Sequence, residues 1–338
     1  MQSEATMTNT KPTLKPPHGV AATDDDIYYA YRLFLGREPD AQGFSDLSKI
    51  VADTNMSADA LARSFMASPE FLNRRIAVPS EAGVVEVELD GFSIYVRADD
   101  RDIARHIRAT RVHEPHVTEA LMELLGPGNV FVDVGANIGF FTNMAAHRIG
   151  ASGFVLAVEP MDKNVQLIHR ALERNGFSHV RVMSCAASDR DGRVAIKTDD
   201  GTSNGQAIGI AGADVRTLYA QTLRLDELVR DLLKIDVVKL DIEGFELLAW
   251  RGFREGLARH RPRVFSEFHP YCMCHFVGIE PAEYLAELFA YGSVDVLPVD
   301  GDRIRCTNPN DVMRLWQSED DRYGVNGKSH LDLLVTPR

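Results

Sequence analysis

Residues 131–141 read FVDVGANIGFF, and this stretch decides the fold class. It has the pattern of a buried strand, a tight glycine turn and the beginning of a helix. An α/β sheet builds its ligand-binding crevice at the carboxyl ends of such strands. We therefore expect a ligand crevice at the turn that follows Val134.

The same turn argues against a dinucleotide as the ligand. A dinucleotide fingerprint needs glycine at three spaced positions, so that a pyrophosphate can approach the backbone. Gly135 occupies the first position, but Asn137 and Phe140 occupy the other two. Asp133, just before the turn, would repel a phosphate and attract an ammonium group. The pattern favours a cationic, amino-acid-like cofactor over NAD.

Composition narrows the class of protein further. A chain of 338 residues can form one large domain and a small one, and its net charge of −12 argues against nucleic acid or an anionic membrane as partner. Four cysteines do not make a disulfide framework in a chain of this size. No segment has the roughly 20 consecutive apolar residues that a membrane span needs. Residues 1–17 lack the apolar core of a secretory signal, so we expect a cytoplasmic protein with a disordered tail over residues 1–23.

Residues 24–76 have the apolar spacing of a small helical domain with four short helices. Two runs in it, YRLFLGREPD at 31–40 and MASPEF at 66–71, resemble the DUF4214 family of small domains. That resemblance implies no chemistry. We expect a docking module that contacts a protein partner.

The rest of the chain, residues 77–338, predicts an α/β domain. Residues 84–96 read as a hairpin, and from residue 130 strands alternate with helices, which is typical of a mostly parallel sheet covered on both faces. The predicted strands are 130–134, 154–158, 180–184, 237–241 and 264–268, and the predicted helices are 139–148, 162–174, 245–251 and 281–291. Residues 199–214 are rich in glycine and small polar residues and predict a loop that could act as a lid.

Four features follow successive strands and should meet at one edge of the sheet. They are the turn of 133–139, Glu159, the small residues of 185–189, and the run KLDIEGFE of 239–246. Each carboxylate also has a purely structural interpretation. Asp133 and Glu159 could cap local backbone, Glu243 could open a helix, and we expect Glu246 to be solvated or paired along its helix.

The motifs VDVGANIG, Glu159-Pro160, KLDIEG and SEFH at 266–269 resemble the FkbM-type family of S-adenosylmethionine-dependent methyltransferases over roughly 84–300. The resemblance implies a class I, Rossmann-like fold with a seven-stranded, mostly parallel sheet and one antiparallel strand. It also implies S-adenosyl-L-methionine as cofactor and a glycan or a small hydroxylated metabolite as the O-methylated acceptor. His113 stands where family members often have tyrosine before Glu114-Pro115.

This resemblance assigns roles to particular residues. The methionine portion of the cofactor would be held by the turn that contains Asp133, Gly135, Ala136, Asn137 and Gly139, with Asp241 nearby. Glu159 would hold the ribose, and the segment that begins at Ala186 would face the adenine. Glu114 either reaches the methionine amino group or simply begins a helix.

A hydroxyl acceptor also needs a general base. The candidates at this sheet edge are His269, Asp241, Glu267 and Glu243, and our hypothesis is His269 or Asp241. We predict no metal site. The cluster of His269, Cys272, Cys274 and His275 lacks zinc-knuckle spacing, although Asp241 with Glu243 could hold a divalent cation.

Two alternatives to O-methylation stay open at this point. The acceptor atom could be a nitrogen or a carboxylate. The fold could also serve as a non-catalytic scaffold that docks through residues 24–76. We expect residues 201–214 and 271–277 to shape the acceptor pocket.

Overall fold

The computed structural model describes residues 21–35, 37–66, 68, 70, 83–198, 202–208 and 217–338. The chain forms two compact units that divide between Gly83 and Val84. Among the described residues, no helix has the combined length and apolar character that crossing a membrane requires.

The first unit contains three described helices: α1 (Asp24–Leu35), α2 (Ala41–Thr54) and α3 (Ala58–Met66). Asp40 caps α2, because its side chain accepts a hydrogen bond from the Gly43 amide at 2.8 Å. Ile27, Leu61 and Phe65 are buried between these helices. The fourth helix predicted from Ser68 onward falls largely outside the described residues.

The second unit begins with a hairpin and two helices before the main sheet. Its elements up to residue 223 are β1 (Val84–Glu88), β2 (Ser93–Arg97), α4 (Ile103–Thr110), α5 (Pro115–Leu124), β3 (Val130–Val134), α6 (Phe140–Ile149), β4 (Phe154–Val158), α7 (Asp162–Asn175), β5 (Val180–Met183), β6 (Ala186–Ala187), β7 (Gly192–Thr198), β8 (Gly205–Ile208) and β9 (Thr217–Leu223). The remaining elements are α8 (Leu225–Leu228), β10 (Val237–Leu240), α9 (Glu246–Arg251), α10 (Arg254–His260), β11 (Arg263–Phe268), α11 (Pro270–Cys272), a π-helix (Met273–Val277), α12 (Pro281–Tyr291), β12 (Gly292–Leu297), β13 (Ile304–Cys306), α13 (Pro309–Tyr323) and β14 (Leu331–Pro337).

The main sheet has the strand order β13-β12-β14-β11-β10-β3-β4-β5. Strands β5, β4, β3, β10 and β11 are parallel to one another, whereas β14 is antiparallel to both of its neighbours. The predicted α/β class with a mostly parallel sheet is therefore what the structure has.

The predicted count of seven strands with one antiparallel is wrong. The described sheet has eight strands, because β13 turns back after β12 and pairs with it in the antiparallel direction. The sequence signal for β13 was weak, since the strand has three residues and Ile304 in it is 40% exposed.

A second sheet with the order β6-β9-β7-β8 was not predicted. Its edge strand β8 lies inside the segment that we expected to be a loop, so that expectation is wrong for Gly205–Ile208. Glycine, glutamine and alanine in this strand give no strand signal of their own. Pairing with β7, from Ala195↔Ile208 to Thr198↔Gly205, is what makes the segment a strand.

Packing of the main sheet explains why β3 reads as an almost continuous apolar run. Val132 and Val134 belong to one buried cluster and Phe131 to another, and all three are fully buried. Both faces of this strand are therefore covered, as is usual for parallel sheets. The chain runs from β3 to β4 and β5 on one side, then to β10 and β11 on the other. The strand order reverses between β3 and β10, where a crevice is expected.

Candidate functional site

A cavity of about 220 Å³ opens at this reversal point. Its walls come from the segments that follow four adjacent strands: Gly135–Asn137 after β3, Glu159 after β4, Asp241 and Glu243 after β10, and Glu267 at the end of β11. Four of the predicted strand ends therefore do converge on one crevice.

Gly135 could not be replaced without disturbing the turn after β3. Its φ is +85°, and a Cβ atom there would lie 1.8 Å from the carbonyl oxygen of Asp241. The amides of Gly135 and Ala136 both donate to the carbonyl of Val158, at 2.9 and 3.1 Å. The turn after β3 therefore packs against both the end of β4 and the segment that follows β10.

Glu159 is a buried carboxylate that holds two backbone amides and still faces the cavity. One oxygen accepts from the Asn137 amide at 2.8 Å and the other from the Met161 amide at 2.9 Å. Burial raises the pKa of this carboxyl to about 7, against these hydrogen bonds. The side-chain amide of Asn164 also donates to Glu159, at 3.3 Å. Because a carboxylate offers about four acceptor positions, one position of Glu159 is left for a ligand.

Asp133 lies behind the cavity wall. It is 1% exposed and is not among the residues that line the cavity, and neither is Gly139. The hydroxyl of Thr142 donates to one Asp133 oxygen at 2.6 Å, and no described residue donates to the other oxygen. Burial raises the pKa of this carboxyl. The structure therefore gives Asp133 no direct contact with a ligand in the cavity.

A buried lysine that the sequence analysis did not select lies at the centre of the site. The ammonium of Lys239 is 2.5 Å from a carboxylate oxygen of Asp241 and 4.6 Å from the centre of the Phe141 ring. Burial lowers the pKa of Lys239, but the carboxylates of Asp241, Glu114 and Asp133 outweigh it and raise that pKa. Although burial opposes it, Lys239 in turn keeps the pKa of Asp241 below its ordinary value. Asp241 is therefore a charged partner of Lys239 and a weak base.

Glu114 precedes α5 and lines the cavity. Its backbone is left-handed, with φ 44°, and its side chain makes no capping hydrogen bond to α5. One carboxylate oxygen lies 3.4 Å from His113, and the other is buried without a partner among the described residues. Burial raises the pKa of this carboxyl to about 8. These contacts leave an acceptor free for a ligand.

Glu267 lines the cavity at the end of β11, together with His330. A ring nitrogen of His330 lies 3.8 Å from one Glu267 oxygen, and the other oxygen has no hydrogen-bond partner in the part of the chain that the structure describes. Burial raises the pKa of Glu267 well above its ordinary value. His330 was missed by sequence reasoning, because it lies 63 positions after Glu267, just before the antiparallel strand β14 that pairs with β11.

His269 is not among the residues that line the cavity. Its Nδ1 accepts the Cys272 amide at 3.4 Å, at the beginning of α11. Burial lowers the pKa of the ring to about 4, so the imidazole is neutral at neutral pH.

The turn after β10 corrects two of our expectations. Glu243 does not open a helix, because its φ is +56° and α9 begins only at Glu246. Glu246 is not solvated, because it is 0% exposed and one of its oxygens accepts from the amides of Ile242 and Gly244, at 2.9 and 3.1 Å. Burial raises the pKa of Glu246 to about 8.

Only parts of the segments that we expected to face the adenine and the acceptor line the cavity. Ala186 and Ala187 line the cavity, but Ser188 and Asp189 do not. From the predicted acceptor loop, Ser203–Gly205 and Ala207 line it, and the Asn204 side chain accepts from that of Asn137 at 2.8 Å. No residue of 271–277 is in the lining.

Part of this chain matches the model of a known protein family. Residues 133–293 match the family model described as "Methyltransferase FkbM domain". The match includes Glu159, Asp241 and Glu267, but neither Glu114 nor His330. No comparison supports the resemblance of residues 24–76 to DUF4214. No curated protein matches the chain.

Solved structures show only distant likeness. The FkbM methyltransferase from Methylobacillus flagellatus KT is 16% identical, with 80% of this chain and 56% of that chain covered and a TM-score of 0.37. An rRNA methylase from Streptococcus thermophilus is 12% identical, with 66% and 95% covered and a TM-score of 0.38. A SAM-dependent O-methyltransferase from Thermotoga maritima is 12% identical, with 73% and 74% covered and a TM-score of 0.36. The chain thus spans little more than half the length of the first of these. Likeness at this level defines neither an activity nor a substrate.

Proposed function

We propose that this protein is an S-adenosylmethionine-dependent methyltransferase that methylates a hydroxyl of a glycan or of a small hydroxylated metabolite. The observation that carries the proposal is the crevice at the reversal of strand order, lined by carboxylates that lie within the FkbM-type segment. Ligands of α/β proteins bind at this place in the sheet.

The charge of the cavity lining suits a cationic cofactor. Buried oxygens of Glu114 and Glu267 have no hydrogen-bond partner among the described residues, and Glu159 has a spare acceptor position. A ligand with ammonium and hydroxyl donors would satisfy these acceptors and favour their ionised forms, whereas a phosphate would offer them mainly acceptor oxygens. S-adenosylmethionine carries such donors, and when bound it supplies an electrophilic methyl group.

Particular residues would hold the parts of this cofactor. Glu159 would accept a hydrogen bond from a ribose hydroxyl, and Glu114 would accept one from the ammonium group. The small side chain of Ala186 would leave room for a flat base. Gly135, Ala136 and Asn137 would shape the wall between them, while Asp133 and Gly139 would act from behind it. The capacity to hold the ligand thus comes from side chains rather than from free turn amides.

The proton of the acceptor hydroxyl needs a group that faces the cavity. Among the four predicted candidates, geometry favours Glu267 over the two that we first preferred. Asp241 is paired with Lys239, and His269 is not in the cavity lining. Glu267 has an unpartnered oxygen and His330 beside it. We propose Glu267 as the proton acceptor, with Glu243 as the other carboxylate that faces the same space.

Calorimetry with S-adenosylhomocysteine tests the cofactor assignment. We expect one binding site per chain. If the full chain shows no binding, the enzyme assignment fails and the scaffold interpretation replaces it. Cell extract incubated with isotope-labelled cofactor and the protein would then identify the product by mass spectrometry, and a label on nitrogen or on a carboxylate would overturn the hydroxyl assignment.

The proton acceptor is tested with Glu267→Gln once a product is known. Loss of a general base costs about 10²- to 10⁴-fold in rate, so kcat should fall by that factor while S-adenosylhomocysteine affinity stays unchanged. Glu280→Gln is the matched control, because Glu280 is exposed and its side chain makes no capping hydrogen bond. An unchanged kcat in Glu267→Gln, with a loss in Asp241→Asn, would return the role to Asp241.

A further inference from the structure

Three metal-binding side chains from two different loops meet beside the cavity. One ligand atom from each of Glu243, His269 and Cys272 lies within 4.8 Å of the other two. Glu243 lines the cavity, and Cys272 is 4% exposed. The proposed function gives none of these three residues a necessary role.

Pairing of β10 with β11 explains why these residues meet. The two strands are parallel neighbours, with Leu240 opposite Ser266, so the segments that follow them leave the sheet side by side. Gly244, at φ +99°, packs so closely on the second segment that a Cβ atom would lie 2.7 Å from the Cys272 carbonyl carbon. This close approach brings the adjacent Glu243 to Cys272.

Both loops are held in place by hydrogen bonds. Glu246 accepts the amides of Ile242 and Gly244, and His269 accepts the amide of Cys272. Gln206 of β8 donates to the backbone carbonyl of Glu243 at 2.9 Å. The left-handed backbone of Glu243, at φ +56°, is the kind of local strain that accumulates at functional sites. The backbone that carries the three donor residues is therefore held by the fold before any ion binds.

The donor atoms are slightly farther apart than a tetrahedral ion requires. The Cys272 sulfur lies 3.9 Å from a Glu243 oxygen, and all three donor atoms lie within 4.8 Å of one another. Zinc bonds of about 2.0–2.3 Å in a tetrahedron place the donor atoms about 3.5 Å apart. Small movements of side chains are enough to close this difference.

We propose that Glu243, His269 and Cys272 bind one Zn²⁺ ion beside the cavity. Sulfur, nitrogen and oxygen donors together suit zinc and disfavour magnesium, which prefers oxygen donors alone. On binding, the Cys272 thiol forms the sulfur–zinc bond and releases its proton to solvent. Three protein ligands leave a fourth position for water or for a ligand oxygen.

The proposal revises the expectation of no metal site. The sequence cluster suggested Cys274 and His275 as partners of His269 and Cys272, but Cys274 is exposed and His275 stacks on the Tyr271 ring at 3.9 Å. The third donor comes instead from Glu243, which precedes His269 by 26 positions. No local spacing could reveal it, because only the pairing of β10 with β11 brings the two segments together.

Cobalt binding tests the site without relying on methyl transfer. The full chain, stripped with a chelator, is titrated with Co²⁺. We expect one Co²⁺ per chain, a thiolate-to-cobalt charge-transfer absorption in the near ultraviolet, and displacement of the ion by Zn²⁺. The outcome does not depend on whether the cavity binds S-adenosylmethionine, so the two proposals can fail separately.

Variants assign the ligands. Cys272→Ser should abolish the charge-transfer absorption, and His269→Ala should weaken zinc binding by about 100-fold or more, since losing even an outer partner of a ligand costs about 10- to 100-fold. Cys274→Ser is the matched control, because this thiol is two positions away and exposed, and it should change neither readout. A charge-transfer absorption that persists in Cys272→Ser, or one that disappears in Cys274→Ser, would overturn the assignment.

X-ray absorption of the zinc-loaded wild-type chain covers the case in which a variant does not fold. We expect one Zn–S distance of about 2.3 Å, with the other ligands at about 2.0–2.1 Å. A coordination shell without sulfur, or failure of the wild-type chain to bind the ion, would refute the site.

Discussion

Two turns meet at the centre of this domain, and in each of them a buried glutamate accepts hydrogen bonds from backbone amides. The two glutamates differ in whether they face the cavity. In the turn after β3, Glu159 accepts the Asn137 amide, and in the turn after β10, Glu246 accepts the amides of Ile242 and Gly244. Burial raises the pKa of both carboxyls, Glu159 to about 7 and Glu246 to about 8. Glu159 lines the cavity, whereas Glu246 is fully enclosed.

The difference teaches that a buried carboxylate beside a turn is not by itself a ligand-binding group. Both residues satisfy backbone amides that would otherwise be buried without partners, which is a structural task. Only Glu159 has an acceptor position that faces open space, so only it can also serve a ligand.

The largest effect is expected where the two turns touch. Gly135→Ala should lower the free energy of unfolding by about 3–4 kcal/mol, because it adds the cost of a left-handed backbone to a clash with the Asp241 carbonyl. Urea denaturation measures this. Gly176→Ala is the control, because its backbone is left-handed, at φ +70° and ψ 27°, and no described atom lies within 4 Å of the added Cβ, so a loss of about 1 kcal/mol is expected. Equal losses in the two variants would mean that the turns do not press on each other.

Removing the enclosed carboxylate should have the next largest effect. Glu246→Ala leaves two buried amides without an acceptor and should cost about 2–3 kcal/mol in urea denaturation. Glu246→Gln keeps an acceptor oxygen and should stay within about 1 kcal/mol of wild type at neutral pH. A large loss in the glutamine variant as well would show that a charged carboxylate, rather than hydrogen bonding alone, holds this turn, and it would contradict the raised pKa of Glu246.

Changing the carboxylate that faces the cavity should affect binding more than stability. Glu159→Gln should weaken S-adenosylhomocysteine binding about tenfold or more, which corresponds to about 1.4 kcal/mol or more, because hydrogen bonds to a charged acceptor are the stronger ones. Wild-type affinity should also fall as the pH drops below about 7, where Glu159 takes up a proton, and the variant should lack this dependence. Glu173→Gln, an exposed residue of α7, is the control for calorimetry. Unchanged affinity in Glu159→Gln would remove the assigned ribose contact.

The smallest effect over one pH unit concerns the pH dependence of stability. The pKa of Glu246 is raised from an ordinary 4.5 to about 8, so between these values the folded chain holds a proton that the unfolded chain has lost. Its contribution is therefore fully present below pH 4.5 and is lost as the pH rises towards 8, by at most about 1.4 kcal/mol per pH unit for one proton. Comparing urea midpoints of wild type and Glu246→Gln across this range should show a steeper decline in wild type. Parallel curves would contradict the raised pKa.

Much of the fold could be predicted because its signals are local. The apolar run of β3 and the boundaries of β4 and α12 were predicted as the structure has them, since strand length, turn residues and helical spacing are properties of short segments. Strands β13 and β8 were missed, because such short strands exist only through pairing with a neighbour. The longer strands β7 and β9 of the second sheet were missed as well. The convergence of the site residues at one sheet edge was also predictable, since parallel strands end at the same edge.

By itself, the sequence determined the α/β class, the crevice after Val134 and the position of Glu159 at the end of the next strand, because each follows from a strand–turn pattern within a few residues. Only the tertiary structure decided the environment of each side chain. It enclosed Glu246, paired Asp241 with Lys239, placed His330 beside Glu267 and brought Glu243 to Cys272. The physical reason is that burial and charge pairing depend on which strands become neighbours, and strand order is set by packing across the whole sheet rather than by any one segment.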